Sequence, residues 1–291
     1  MTQRPNRSVV ITGASTGIGA ATAKYLADRG WKVFGGYRKD SDAETLRGLS
    51  ELIMPVRMDV TKPDDLAAAA ATVSDALNGE KLGGLVNNAG IAFMAPLALQ
   101  PLDEFKAHFE VNTFGLLATT QAMLPLLGME PERAGGPGRV VNITSVGGKL
   151  ASPFLGAYVA TKHAGEAITD TLRRELIVYG IEAIAIGPGA VQTPIWEKAE
   201  EKDPDAAYRE SAWGASIEKY QDIMLKAGKE GLPPEDVARA IETALTAKKP
   251  KARYAPVPNK LTNFTIPTRL PKRWVDSILA GRFGIERKFN T

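Results

Sequence analysis

The sequence predicts an α/β fold: a doubly wound parallel sheet of about seven strands, with helices on both faces, in a single domain. Three observations predict it. Short strands that are apolar throughout alternate with helical stretches from Ser8 to Gly187, as in a sheet covered on both sides. A glycine-rich turn, Gly13-Ala-Ser-Thr-Gly17-Ile-Gly19, joins the first strand directly to the first helix. No linker or internal repeat divides the 291 residues, whose composition, 44% apolar and 24% charged, suits one large core.

The first strand is Ser8–Thr12, and the apolar-periodic helix after the turn runs to about Arg29, where Gly30 stops it. A second strand, Trp31–Tyr37, precedes a charged helix around Asp42–Leu49. The third strand, Leu52–Met58, ends at Asp59-Val60 and leads to an Ala-rich helix, Pro63–Leu77, and the strand Gly84–Asn87. A long helix is expected over Leu102–Leu127, with Pro125 bending its end. The strand Gly138–Thr144, a helix from Gly156 to about Tyr179 and the strand Ile181–Gly187 complete the alternation, and another helix starts at Pro234.

Two segments break the rhythm. Residues 129–138 (MEPERAGGPG) form a polar Gly/Pro-rich loop, expected to be a surface insertion. Residues 194–231 hold Trp196, Tyr208, Trp213, Tyr220 and Met224 between a strand and a helix. A long connection at this end of an α/β sheet reads as a substrate lid, or as a helical pair that packs its aromatics onto the core. The two readings are compatible.

The formal charge of +3 hides an asymmetry: Lys248–Thr291 holds eleven Lys or Arg against two acids, a net of +9, and the first 247 residues carry −6. The basic C-terminal extension, about 257–291, is expected to be solvated, though it offers charge to an acidic partner or a membrane. Within it, Trp274, Val275, Ile278, Leu279 and Phe283 share one helical stripe flanked by Lys272, Arg273 and Arg282. Such a helix packs over the sheet, against a partner subunit, or on a membrane surface. The absence of cysteine excludes a disulfide framework, a thiolate metal site and a Cys nucleophile, and two histidines are too few for a His-rich metal centre. No apolar run reaches membrane-spanning length, and only seven residues precede the first strand, so a cytoplasmic protein without a signal peptide is expected. The basic residues are not interleaved with base-stacking positions, which argues against nucleic acid.

The glycines at 13, 17 and 19 stand where strand becomes helix. Glycine permits the tight turn and lets main chain approach a pyrophosphate seated on the helix N-terminus. Their spacing is GxxxGxG rather than GxGxxG. Tyr158 and Lys162, four residues apart on one helix, share a face. A phenol titrates near ~10, and a nearby ammonium favours its ionised form, so the pair is a candidate proton-transfer unit for an alcohol or ketone. His163 lies about 100° round the helix from its neighbour Lys162 and reads as structural, as does His108.

The motifs TGxxxGIG, Asp59-Val60, Asn87-Asn88-Ala89-Gly90, Asn112 in a long helix, Ser145, the 158/162 YxxxK and Pro188-Gly189 with Thr193 occur in this order, with Ser145 thirteen residues before Tyr158. The chain therefore resembles the short-chain dehydrogenase/reductase family, most closely its hydroxysteroid and retinol dehydrogenase-type members, and the resemblance implies a Rossmann-like fold. It implies Tyr158 as general acid/base, Lys162 as the residue that lowers its pKa and holds the nicotinamide ribose, Ser145 on the substrate oxygen, and Asn112 keeping a relay water. It implies that Ser15, Thr16 and Ile18 join the three glycines at the cofactor, that Asp59 and Val60 meet the adenine, that Asn88, Ala89 and Gly90 line the cofactor, and that Pro188, Gly189, Val191 and Thr193 position the carboxamide. The distance from Asn112 to Ser145 is a few residues longer than the family pattern, which the 129–138 loop absorbs.

Cofactor choice turns on the end of the second strand, Gly35-Gly36-Tyr37-Arg38-Lys39, where no acid awaits a ribose 2′-hydroxyl. Arg38 offers a planar fork to a 2′-phosphate, so NADP(H) is expected over NAD(H). Ser15 and Thr16 are neutral where many NADP users carry a basic residue. The substrate pocket implied by the resemblance holds Gly147, Leu150, Phe154 and Trp196 beside Ser145 and Tyr158, mostly apolar, and points to a lipophilic alcohol or carbonyl compound. The alternatives are a small polar or acyl-thioester carbonyl, or a non-catalytic NADP(H)-binding regulator. The intact set Asn112, Ser145, Tyr158, Lys162 argues against the last. No metal is expected, and family likeness implies a homodimer or homotetramer through helices ending near Leu127 and Tyr179.

Overall fold

The computed structural model describes residues 6–194 and 206–286. Seven parallel strands form one sheet in the order β3-β2-β1-β4-β5-β6-β7. They are β1 (Ser8–Ile11), β2 (Lys32–Tyr37), β3 (Ile53–Arg57), β4 (Gly84–Asn87), β5 (Arg139–Ile143), β6 (Glu182–Ile186) and β7 (Arg253–Tyr254). The helices are α1 (Gly17–Ala27), α2 (Asp40–Leu49), α3 (Pro63–Leu77), α4 (Leu102–Phe109), α5 (Gly115–Leu124), α6 (Gly156–Glu175), α7 (Ala206–Arg209), α8 (Gly214–Lys229), α9 (Pro234–Thr246) and α10 (Lys272–Phe283).

Because side chains alternate along a strand, each strand feeds both layers. Val9, Ile11, Val33, Val86, Val141 and Ile184 face α1 and α9 in one buried layer. Val10, Phe34, Leu85, Val140 and Ala183 face α3, α5 and α6 in the other. That double burial is why the strands read as apolar throughout. β1 lies between β2 and β4, with Ile11 level with Gly35 and Val86. The chain's direction of progress across the sheet reverses there, and a crevice opens beyond the strand ends.

The expected long helix from Leu102 to Leu127 is interrupted. A π-turn, Glu110–Phe114, separates α4 from α5, and a second covers Pro125–Met129. Pro125 has no amide hydrogen to give to the preceding turn, so the ladder shifts there. The π-turn at 110–114 inserts one residue into the helix and carries Asn112.

The 129–138 loop is pinned at the far end of the sheet from the crevice. The Lys81 amide donates to Ala134 O at 2.8 Å, and the Ala134 amide to Gly79 O at 2.9 Å.

The expectation of a solvated tail is corrected on one face. β7 pairs with β6, and α10 buries Phe283 and packs Leu279 into a third apolar cluster with Ala95, Phe154, Tyr208, Ile217 and Tyr220. The predicted stripe therefore divides, since Trp274 and Ile278 remain 63% and 55% exposed. Among the described residues no helix is long and apolar enough to cross a membrane.

Candidate active site

At the end of β1 the chain turns at once. Gly13 sits at φ +60°, and a methyl there would come within 3.0 Å of Ala89 Cα. A methyl on Gly19 would overlap the Gly13 carbonyl, so turn and helix are folded directly on one another. Thr12 stitches the turn to β4: its hydroxyl accepts from the amides of Asn88 and Ala89, both at 2.9 Å. Asn88 returns the bond, its side-chain amide donating to the carbonyls of Thr12 and Gly13 at 3.0 Å each. Thr16 caps α1 with no side-chain bond, leaving the first-turn amides to whatever acceptor enters the crevice. Ser15 is half-buried and Thr16 exposed in that turn, and Ile18 packs inward on the sheet.

Asp59 follows β3. Burial pushes its carboxyl up, but the Thr61 amide and hydroxyl, donating at 3.0 and 2.7 Å, together with the charges of Arg38 and Lys62, outweigh this and hold it below the usual carboxylate range. Val60 is buried over the start of α5, where a methyl on Gly115 would overlap it. Arg38 is exposed beyond β2 and forms no ion pair within the described residues. Across the crevice, a methyl on Gly17 would stand 3.4 Å from Thr193. Pro188 accepts from the Val146 amide at 2.9 Å, and the Gly189 amide donates to Pro256 O at 3.0 Å. Val191 bridges to Leu232. Gly90 borders the chemistry, for a methyl there would lie 3.2 Å from Asn112 Oδ1 and 3.7 Å from Lys162 Nζ.

These features fit a dinucleotide: a glycine cradle without side chains, unpartnered amides at a helix N-terminus, an ionised Asp59 and an open Arg38.

Tyr158 and Lys162 lie in the first two turns of α6. Ser145 follows β5 and opens a short 3₁₀ turn, where its Oγ accepts from the Gly147 amide at 3.0 Å. Its hydroxyl lies beside the Tyr158 ring, both bordering Gly147, and favours the ionised phenol. Lys162 is 7% exposed and donates to Ile143 O at 2.8 Å, with its ammonium 5.5 Å from the Tyr158 ring centre. Burial brings Lys162 down to about 8. Burial pushes the Tyr158 phenol up, for desolvation outweighs the opposing Ser145 hydroxyl, and the ammonium is tied to the Ile143 carbonyl.

Asn112 is buried, and its side-chain amide is fully engaged. Oδ1 accepts from the Ile91 amide at 2.8 Å, while Nδ2 donates to Ile91 O at 2.9 Å and to Thr161 Oγ1 at 3.0 Å. The side chain fixes the loop after β4 and ties it to Thr161 on α6.

Of the expected pocket residues, Gly147 borders both hydroxyls, with a methyl there 3.4 Å from Ser145 Oγ and 3.7 Å from Tyr158 Cε1. Phe154 is buried at φ +63° and meets the Tyr220 ring edge-on at 5.5 Å between centroids. Leu150 is half-buried and stands outside that apolar cluster. Trp196 lies outside the described residues. His108 is structural: Nδ1 donates to Glu104 O at 2.7 Å and Nε2 accepts from the Phe93 amide at 3.0 Å.

Sequence reasoning gave no individual site role to four residues, of which Tyr220 was named only among the aromatics of 194–231. Thr12 lay inside the glycine motif, and Thr161 inside YxxxK, without being singled out. Tyr220 is buried on α8, 3.1 Å from Ser152 Oγ and within electrostatic reach of Tyr158, and burial pushes its phenol up to about 12. Arg253 carried no signal beyond belonging to the basic end of the chain.

The profile of a family described as short chain dehydrogenase matches residues 7–204. An NADPH-dependent 3-dehydrocapnine reductase of Ornithobacterium rhinotracheale is 37% identical over 273 residues, covering 94% of this chain and 95% of the relative. Human retinol dehydrogenase 5 is 34% identical over 286 residues, covering 94% and 88%. A short chain dehydrogenase/reductase from Burkholderia phymatum, solved in complex with NAD, superposes with a TM-score of 0.75 at 26% identity, covering 96% of this chain and 97% of the other.

Proposed function

The chain belongs to the short-chain dehydrogenase family, and from that membership we propose that it is an NADP(H)-dependent oxidoreductase interconverting a ketone or aldehyde and an alcohol on a lipophilic substrate, such as a hydroxysteroid or retinoid. One observation carries the reading: Ser145 and Tyr158 meet across Gly147 at the start of α6, near Phe154, which packs edge-on against Tyr220 in the apolar cluster of Tyr208 and Phe283.

A nicotinamide cofactor held over the glycine turn Gly13–Gly19 would supply or accept the hydride at the carbonyl carbon. Tyr158 gives its phenolic proton to the carbonyl oxygen in reduction, the ordinary task of a buried acid. Ser145 holds that oxygen by a hydrogen bond, where donors matter most. Lys162 would hold the nicotinamide ribose and, with a pKa of about 8, would return a proton to Tyr158 through a water kept by Asn112. Arg38 receives the 2′-phosphate, and Asp59 with Val60 flanks the adenine. The NADPH-dependence of the 37% identical relative supports this choice.

The 194–231 segment, of which residues 195–205 lie outside the described residues, serves as the substrate lid. The chain assembles as a homodimer or homotetramer, which the exposed Phe114, Ile177 and Val178 support. The outward face of α10, with Trp274 and Ile278 among Lys272, Arg273 and Arg282, rests on a membrane surface where such substrates partition.

The test is NADPH consumption by the purified protein against ketosteroids, retinal, small ketones and acyl-thioester analogues, with Tyr158→Phe as control. Turnover of bulky apolar carbonyls that vanishes in the variant is the expected result. Preference for small polar carbonyls overturns the substrate class, and tight NADPH binding without any turnover overturns the enzyme.

A further inference from the structure

Around the main chain of Ser145 lies a partly buried ionic cluster, centred on the buried Glu166, that the proton transfer described above leaves unused. Glu166 follows Tyr158 and Lys162 at successive four-residue steps of α6, so all three share a face. Its carboxylate takes the Thr144 hydroxyl at 2.6 Å, the Arg253 Nε hydrogen at 2.9 and 3.1 Å, and the Lys149 ammonium at 3.3 Å. Arg253, on the two-residue strand β7, has a second arm: Nη2 donates to Ser145 O at 3.1 Å. Its guanidinium also lies 4.8 Å from the centre of the Phe264 ring. Gly187 makes room, for a methyl there would overlap Nη2.

The side chains of Arg253 and Glu166 are 18% and 7% exposed. Enclosing an ion pair so far from water gains little stability by itself, and apolar packing would serve a mere strut as well. What the fork does that apolar packing does not is direct an N–H at one particular carbonyl. That carbonyl belongs to the residue whose hydroxyl stands beside the phenol across Gly147.

We propose that Arg253 is a positioning residue for the reaction: anchored on Glu166, it holds Ser145 by its carbonyl and thereby aims the Ser145 hydroxyl at Tyr158 and the substrate oxygen. This rests on the roles proposed above for Ser145 and Tyr158. It also gives the basic end of the chain a part in the chemistry, because β7 and Phe264 carry the clamp.

The test is a double-mutant cycle in steady-state kinetics on the full chain, with Arg253→Ala, Ser145→Ala and the pair. Arg253→Ala should lower kcat on the order of 10–100-fold, as misplacement of a reacting group does, with the KM for NADPH held. The pair should be no worse than Ser145→Ala alone, since both changes act through one hydroxyl. Arg253→Lys, which reaches Glu166 or the carbonyl but not both, should fall between wild type and Arg253→Ala. Additive losses, an unchanged kcat, or an effect confined to KM for NADPH overturns the proposal. If Arg253→Ala does not fold, Arg253→Lys and Glu166→Gln carry the same cycle with Ser145→Ala.

If the wild type turns over no carbonyl, the activity reading fails and the clamp is read without turnover. Difference absorbance of the Tyr158 phenol, against Tyr158→Phe, should then show its ionisation moving to higher pH in Arg253→Ala, as it does when the Ser145 hydroxyl is lost. No movement overturns the clamp independently of the reaction.

Discussion

Lys162 donates its ammonium to the carbonyl of Ile143, 2.8 Å away at the end of β5, and not to the phenol of Tyr158. The cation is thereby moored to the sheet, and this carbonyl offsets part of the cost of burying its charge.

A pH dependence follows. The folded pKa of Lys162 is about 8, against 10.5 for the ordinary side chain. Between those values the unfolded chain binds more protons than the folded one, so stability rises with pH across the window and is lost as pH falls toward 8. The full swing is on the order of 3 kcal/mol. Urea unfolding between pH 8 and 9.5, below the range where tyrosines titrate, should show this slope in the wild type and not in Lys162→Met. Parallel curves would mean that the ammonium is better solvated than its surroundings imply.

Arg38 should decide between the two dinucleotides. It stands exposed beyond β2 with no acid beside it from Gly35 to Lys39. Arg38→Ala should raise the KM for NADPH by about 10–100-fold, the worth of a charge-assisted pair, while NADH changes by less than about threefold. Equal losses with both cofactors would show that the guanidinium serves adenine stacking instead of the phosphate.

Tyr220 should matter twice. Its ring is fully buried between Phe154 and Phe283, with centroids at 5.5 and 4.8 Å. Tyr220→Ala should therefore cost about 3–5 kcal/mol of stability. Tyr220→Phe keeps the ring and gives up the bond to Ser152, at about 1 kcal/mol. Denaturant melts of both variants check this, and a mild Tyr220→Ala would mean that α8 is not held by its aromatic.

Trp274 and Ile278 should be dispensable for folding. Replacing both by Ser should change stability by less than about 1 kcal/mol and remove co-sedimentation with vesicles rich in anionic lipid. If the wild type does not sediment with such vesicles, the membrane contact of α10 is wrong. If the variant melts early, that face is a packing surface.

The strands and helices were legible because each declares itself locally. The helix Pro63–Leu77 and the strand Gly84–Asn87 fall at the expected residues, the first set by Pro at its start and an apolar stripe, the second by a continuous apolar run. The motif spacing also foretold that Ser145, Tyr158 and Lys162 would meet. What stayed hidden depends on partners distant in the chain. Nothing near Asn112 says that its amide will be consumed by Ile91 and Thr161. Nothing near Arg253 says that it will reach Glu166, 87 residues away. The π-turns were hidden for another reason, since inserting one residue in a helix leaves no change of composition behind.

The stitching of Thr12 to Asn88 and Ala89 has a consequence for how cofactor preference can be changed. The glycine notch proposed to seat the pyrophosphate is already tied together by four hydrogen bonds of 2.9–3.0 Å, so its ordering entropy is lost when the chain folds and not when a ligand arrives. Grip and discrimination are then separable tasks. One is built into the rigid seam between β1 and β4, and the other is left to side chains at the open end of β2. Preference between dinucleotides can drift, or be redesigned, at Arg38 and its neighbours without loosening the hold on what the two cofactors share.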